Sequence, residues 1–268
     1  MVFQIDTQTL NDLAVFGTGR AKTIYEIFNR VKTRGGAKLL EEMFLYPLAE
    51  VKTIQKRVNM IRYYGEHKTV FPFRSSIFDA VEFYLDNTDS RSQLMMQDNT
   101  LERKVKSFIT TDAEYSWIHG GIMGCLELFN TLDDFLRAPE DETYTNIAEI
   151  HTTLRQLLQN EKWSWYPDEK GKKKISYEKA VSYDKILRFE EGGRIRKMLY
   201  YVYLIDVYTT VAQIAGERKF TYPQVYPSER NILSLKGVFH PFLSHPVGNT
   251  LYVCLLYTSD AADDLTRV

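Results

Sequence analysis

The sequence predicts a mainly α-helical protein, and three observations carry that reading. Apolar residues recur at three- and four-residue spacing over most of the chain, which lines one face of a helix. Short breaks containing glycine, proline or polar residues separate these stretches. Strand-like segments arise only beyond Gly216, and there is neither a repeat of 20–50 residues nor a low-complexity tract.

Taken in order, Ile24, Ile27, Phe28 and Val31 form the first apolar stripe. Gly35-Gly36 is expected to break that helix, and Leu39, Leu40, Met43 and Phe44 to open the next. Pro47, ahead of Leu48, should stop it, because proline offers no amide donor and disfavours helix at the residue before it. Val51, Ile54, Val58 and Ile61 define a third helix, with Lys52, Lys56, Arg57 and Arg62 on its outer side. Further helices are predicted over 76–85, 101–109, 113–136 and 144–158. Gly120, Gly121 and Gly124 fall inside one of them. Each glycine costs a helix up to ~1 kcal/mol, so three together imply a closely packed neighbour more than a phosphate-binding loop. Residues 163–176 read as a polar, aromatic loop or hairpin, followed by helices over 177–189 and 194–215. Segments 220–223, 232–235 and 250–253 read as short strands and loops, with a domain boundary expected between residues 230 and 231.

Composition narrows the class. The 268 residues carry 34 basic and 35 acidic side chains, a balance that neither demands nor excludes a nucleic-acid partner; only charge placement decides. The stretch 199–215 is the best membrane candidate, but it contains Asp206 and Gln213, and a span needs about 20 predominantly apolar residues. It reads as a buried helix, with no membrane partner. The first residues lack the basic and apolar blocks of a signal peptide. Cysteines number two, Cys125 and Cys254. The expected compartment is a reducing cytoplasm.

Two separated motifs, met in order, resemble the core or "lever" domain of MutS-family DNA mismatch-repair proteins. The first is Thr33-Arg34-Gly35-Gly36, continuing through Leu39-Leu40 to Pro47-Leu48 and Arg57-Val58. The second is the helix over 199–215 leading to Gly237-Val238-Phe239-His240-Pro241, similar to the turn that opens the family's ATPase domain. The resemblance spans about residues 5–253. It implies an elongated helical lever over 1–230, then over 231–253 the first strands of an α/β ATPase domain. There is no room before Ile5 for the family's mismatch-reading and connector domains, and the reader's Phe-x-Glu signature is expected to be absent from the chain. The family's usual arginine before the His-Pro of the turn is replaced by Phe239.

The chain's last residues carry a separate expectation. Cys254-Leu255-Leu256-Tyr257-Thr258-Ser259-Asp260-Ala261-Ala262-Asp263 reads as a translated transposon-type sequencing adapter, so 254–268 is expected to be a non-native tail that truncates the gene's product. Without that tail Cys125 is the single cysteine. The phosphate loop Gly-x-x-x-x-Gly-Lys-Ser/Thr is absent; Gly171-Lys172 lacks both the upstream glycine and the following hydroxyl. The chain as written is therefore expected to perform no catalysis and to hold no cofactor. By resemblance, ATP and Mg2+ are expected in a full-length parent, which would be a homodimer bound to mismatched or branched double-stranded DNA. Val247, Gly248 and Asn249 are expected at the edge of that parent's adenine pocket.

One local cluster points to DNA without the resemblance. Lys170, Lys172, Lys173 and Lys174 stand beside Trp163 and Trp165; basic side chains neutralise phosphates, and aromatic faces stack on unpaired bases. Asp168 and Glu169 halve the local charge, so the run reads equally as a solvated turn. Arg188, Arg194, Arg196 and Lys197 form a second basic group, expected to pair with Glu190 and Glu191. Asp133-Asp134 lacks the further carboxylates of a diphosphate site, and His240 with His245 lacks the rest of a zinc set. The alternative to a DNA-linked lever is a non-catalytic helical scaffold for protein partners.

Overall fold

The computed structural model describes residues 6–17, 23–95, 111–137, 145–230, 232–243 and 245–254. The fold is mainly α. Its helices are α1 Thr7–Asp12, α2 Ile24–Phe28, α3 Arg34–Leu45, α4 Val51–Glu66, α5 Ser75–Asp86, α6 Thr111–Leu136, α7 Thr145–Leu158, α8 Tyr177–Asp184 and α9 Gly192–Arg218. An antiparallel hairpin, β1 Ile232–Val238 and β2 Asn249–Cys254, follows. The helix expected over 101–109 and nearly all of the expected tail over 254–268 lie outside the described residues.

Helix α9 is the organising element. Its residues from 202 to 210 are all buried, more than two turns in succession, so no side of the helix faces water there. It packs against α2, α3, α4 and α7. Among the described residues, no helix is long and apolar enough to cross a membrane.

The second packing centre is the crossing of α5 on α6. A side chain at Gly121 would run into the Tyr84 ring, and a Cβ at Gly124 would lie 2.9 Å from Val81. Tyr84, Val81, Ile122 and Phe129 are all fully buried around this seam. The glycines thus serve close packing, as expected, with side chains of α5 as the main neighbours; Gly120 faces open space.

Three expectations are corrected. Gly35 and Gly36 do not break a helix but occupy the first turn of α3, behind Thr33 as the capping residue. The first stripe forms only the short α2, and Val31 lies beyond it. The predicted helix over 177–189 is α8 followed by a π-helical turn, Lys185–Glu190. Segment 220–223, read as strand or loop, has no regular structure.

Candidate functional site

The Thr33-Arg34-Gly35-Gly36 run forms a junction with the middle of α9. Thr33 is extended (φ −118°, ψ 149°), and its hydroxyl accepts from the Gly36 amide at 2.9 Å, satisfying one of the donors a helix leaves open at its start. The same hydroxyl donates to Asp206 Oδ2 at 2.7 Å. The Thr33 amide donates to that oxygen at 2.9 Å, and the Lys32 amide reaches both carboxylate oxygens at 3.0 and 3.1 Å. Asp206 is fully buried. Burial pushes its carboxyl above the ordinary aspartate range, against the opposing pull of the Lys32 and Thr33 donors. The positive end of α3 faces this carboxylate, which favours its charged form.

The two glycines make the approach possible. A side chain at Gly35 would run into the Tyr203 ring, and a Cβ at Gly36 would lie 2.7 Å from Asp206 Oδ2. The Tyr203 hydroxyl donates to Glu82, so α3, α5 and α9 meet at this point. Burial raises the Tyr203 phenol well above its ordinary value. Leu40 is buried in the core, while Leu39 and Leu48 line a cleft of about 420 Å³ together with Met60, Tyr200 and Leu204. Pro47 follows Tyr46, which ends α3.

The basic cluster is less free than its sequence suggests. Trp163 is fully buried, its indole donating to Leu158 O at 2.8 Å and its ring centred 4.9 Å from Phe129. It cannot stack on a base, which corrects that part of the DNA-contact expectation. Trp165 lies flat on Tyr183 at 3.4 Å, so one of its faces is already covered. Lys170 is paired with Asp134 at 2.7 Å. Glu169 is buried and draws Lys179 (2.5 Å) and Lys172 (3.1 Å), with the Tyr183 hydroxyl donating at 3.0 Å. Burial pushes Glu169 up, but these partners outweigh it and hold the carboxyl below the ordinary glutamate range. Lys173 and Lys174 remain exposed and make no ion pair among the described residues.

In the second basic group, Arg194 does pair with Glu191 at 3.1 Å. Arg188 instead pairs with Asp184, and Arg196 donates to Leu85 O and Asp86. Lys162 takes up both Glu190 and Glu191. The letters Phe-x-Glu do occur as Phe189-Glu190-Glu191, but the Arg188 guanidinium covers Phe189 at 4.6 Å and both acids are bound to Lys162.

The hairpin brings the remaining motif residues together. Gly237 adopts φ +62°, a left-handed conformation that side chains resist, at the irregularity between Leu235 and Val238. Asn249 pairs with Val238, and Gly248 lies against the Gly237 backbone. Pro241 O accepts from Arg218 at 3.1 Å, and His240 lies beside Phe242. Val247 is 80% exposed. Val247, Gly248 and Asn249 are all exposed, and Asn249 opens β2 with the one side-chain amide among them.

Over a short stretch, the chain is similar to a known protein. That protein is the DNA mismatch repair protein MutS of Thermosipho melanesiensis, 30% identical over 79 residues. The match covers 28% of this chain and 10% of the relative, so the relative is far longer than the part compared. No protein-family model matches the chain. A MutS-like relationship is what this similarity supports.

Sequence reasoning missed the polar residues that matter most. Asp206 counted only as a charge unsuited to a membrane span, and Asp184, Arg188 and Glu169 were not recognised as buried. A lone aspartate within an apolar, tyrosine-rich helix was the available signal for Asp206, since a buried charge must find donors.

Proposed function

We propose that this chain is the lever segment of a MutS-like, DNA-binding ATPase, and that it carries movement without hydrolysing nucleotide itself. The observation that carries this reading is the Thr33–Asp206 junction. It joins the family-like run to a 27-residue helix, about 40 Å long at 1.5 Å per residue, whose far end leads into the hairpin. A carboxylate holding the start of one helix to the middle of another makes a stiff joint, suited to transmission. The similarity to a mismatch-repair protein supplies the DNA context. In this reading residues 1–230 are the lever, 231–253 begin an ATPase domain, and ATP and Mg2+ bind residues of that domain. The working protein is a homodimer on mismatched or branched duplex DNA.

Electrophoretic retardation of mismatched and branched duplexes tests the reading, using the chain joined to a phosphate-loop ATPase domain. Retardation that ATP modulates is expected. Absence of DNA binding at low salt, with and without nucleotide, would overturn it and favour a scaffold for protein partners.

Lys173 and Lys174 are the phosphate contacts of the basic loop in this reading. Replacing both with alanine should reduce the slope of log affinity against log salt by about 2, near 0.9 for each phosphate released. Replacing Lys170 and Lys172 should move that slope less, because Asp134 and Glu169 already hold them. Equal changes in the two pairs would rule out this assignment.

A further inference from the structure

Six aromatic rings form a ladder along one side of the molecule, from the hairpin to the N-terminal segment. Phe239 lies 6.1 Å from Phe220, Phe220 lies 6.2 Å from Phe28, and Phe28 lies 6.0 Å from Phe44. Phe44 then meets Tyr25 at 5.8 Å and Phe16 at 6.2 Å, and those two rings are 5.1 Å apart. All these separations fall within the range in which aromatic pairs attract.

The ladder crosses three separate pieces of chain. Helix α9 ends at Arg218, and Lys219 turns the chain sharply through a left-handed conformation (φ +56°). That turn points Phe220 back toward α2, its amide bonded to Ala215 O at 2.8 Å. Two polar ties run beside the rings. Arg218 donates to Pro241 O at 3.1 Å, and Arg30 pairs with Glu217 at 2.8 Å. Two residues further on, Tyr222 turns to α4, where the Arg62 guanidinium sits 5.4 Å from its ring and Gly65 leaves room for its hydroxyl. The hairpin, by contrast, exposes Leu233, Val238, Leu251 and Tyr252, so its own faces do little to fix it against the helices. Its attachment therefore runs through Phe239 and Pro241.

We propose that the Phe239–Phe220–Phe28–Phe44 ladder is the mechanical link through which a displacement of the hairpin reaches α2 and the start of α3. The Tyr25 hydroxyl donates to Ala37 O at 3.3 Å, which continues the link into the first turn of α3, next to the Thr33–Asp206 junction. Phe239, Phe220, Phe28 and Phe44 are each half-buried, so trimming one loosens the link without hollowing the core. The purpose of the link rests on the lever reading, but its existence does not require DNA or nucleotide.

Amide hydrogen exchange on the whole chain tests it. Phe239→Ala should accelerate exchange in α2 and the first turn of α3 by about five- to tenfold, the loss expected for one aromatic pair. Exchange at the α5–α6 crossing should not change. Phe239→Tyr keeps the ring and should restore protection. Tyr252→Ala removes an exposed ring of the same hairpin that touches no rung, and should leave α2 and α3 as they are. Acceleration confined to 232–254 in Phe239→Ala, or an equal response to Tyr252→Ala, would overturn the proposal. Either result leaves DNA binding to be judged by its own assay, and failure of DNA binding leaves the ladder standing.

Discussion

Asp206→Ala is expected to destabilise the fold by about 3–5 kcal/mol, read as a lowered urea midpoint. The change removes the acceptor of the Thr33 hydroxyl and of the Lys32 and Thr33 amides, all at a buried position. Leaving a buried donor unsatisfied costs roughly 1–3 kcal/mol, more when its lost partner was charged. The total would be a large share of the roughly 5–15 kcal/mol that holds a domain folded. Thr33→Ala should cost less, about 1–2 kcal/mol, because it removes one cap and leaves the carboxylate two amides. A loss below 1 kcal/mol in Asp206→Ala would mean that the junction does not hold α3 to α9.

The same residue carries a pH dependence whose sign is fixed. Burial raises the folded-state carboxyl above its unfolded value, so its stabilising contribution is complete at pH below the unfolded value. This proton-linked part, and not the hydrogen bonds the carboxylate accepts from Lys32 and Thr33, is lost as pH rises through the folded value. The advantage of the native chain over Asp206→Asn should therefore shrink as pH rises through the acidic range. An advantage that grows with pH would contradict the assignment.

Arg188→Met is expected to cost a further large amount, about 3–5 kcal/mol, because it strands a buried charge. Arg188 and Asp184 both have fully buried side chains and lie 2.6 Å apart. The pair also ties down the segment after α5: the guanidinium donates to Asn87 O, Ser92 Oγ and Ser92 O, while Asp184 accepts from the Tyr84 hydroxyl and the Leu94 amide. Tyr84, Trp117 and Phe189 surround the cation at 5.3, 5.0 and 4.6 Å. Replacing the pair together, as Asp184→Leu with Arg188→Met, should recover part of the loss, since no lone charge then remains buried. Recovery should be incomplete, because Tyr84 and Leu94 still lose their acceptor. A double variant less stable than the sum of its singles would mean that the segment after α5, and not the charge, dominates.

Much of the helical architecture was legible because it rests on local periodicity. The stripe Val51, Ile54, Val58 and Ile61 follows from apolar spacing alone, and α4 and α6, the latter expected over 113–136, appear near their expected positions. Gly35-Gly36 was misread because helix propensity is a small quantity. Up to ~1 kcal/mol per glycine is outweighed when Thr33 caps the turn and Tyr203 and Asp206 fill the space that side chains would occupy. The hold on Lys170 was hidden for a different reason. Asp134, which holds Lys170, is 36 residues away, and nothing near the run announces it. Trp163 looked like part of a surface patch because its neighbours in sequence give no sign of the Phe129 ring that packs against it. Pairing between distant charges depends on the tertiary path, which local patterns do not encode.

The enclosure of α9 also limits how this chain can change in length. One inserted residue turns everything beyond it by about 100°, the angle between successive side chains at 3.6 residues per turn. Between Tyr203 and Arg218 such a turn would swing Asp206 away from Thr33, or Arg218 away from Pro241, depending on where it fell. Insertions or deletions there are tolerable only near whole turns, three or four residues at a time. Across homologues this stretch should therefore vary freely in letters at its outer positions and hardly at all in spacing.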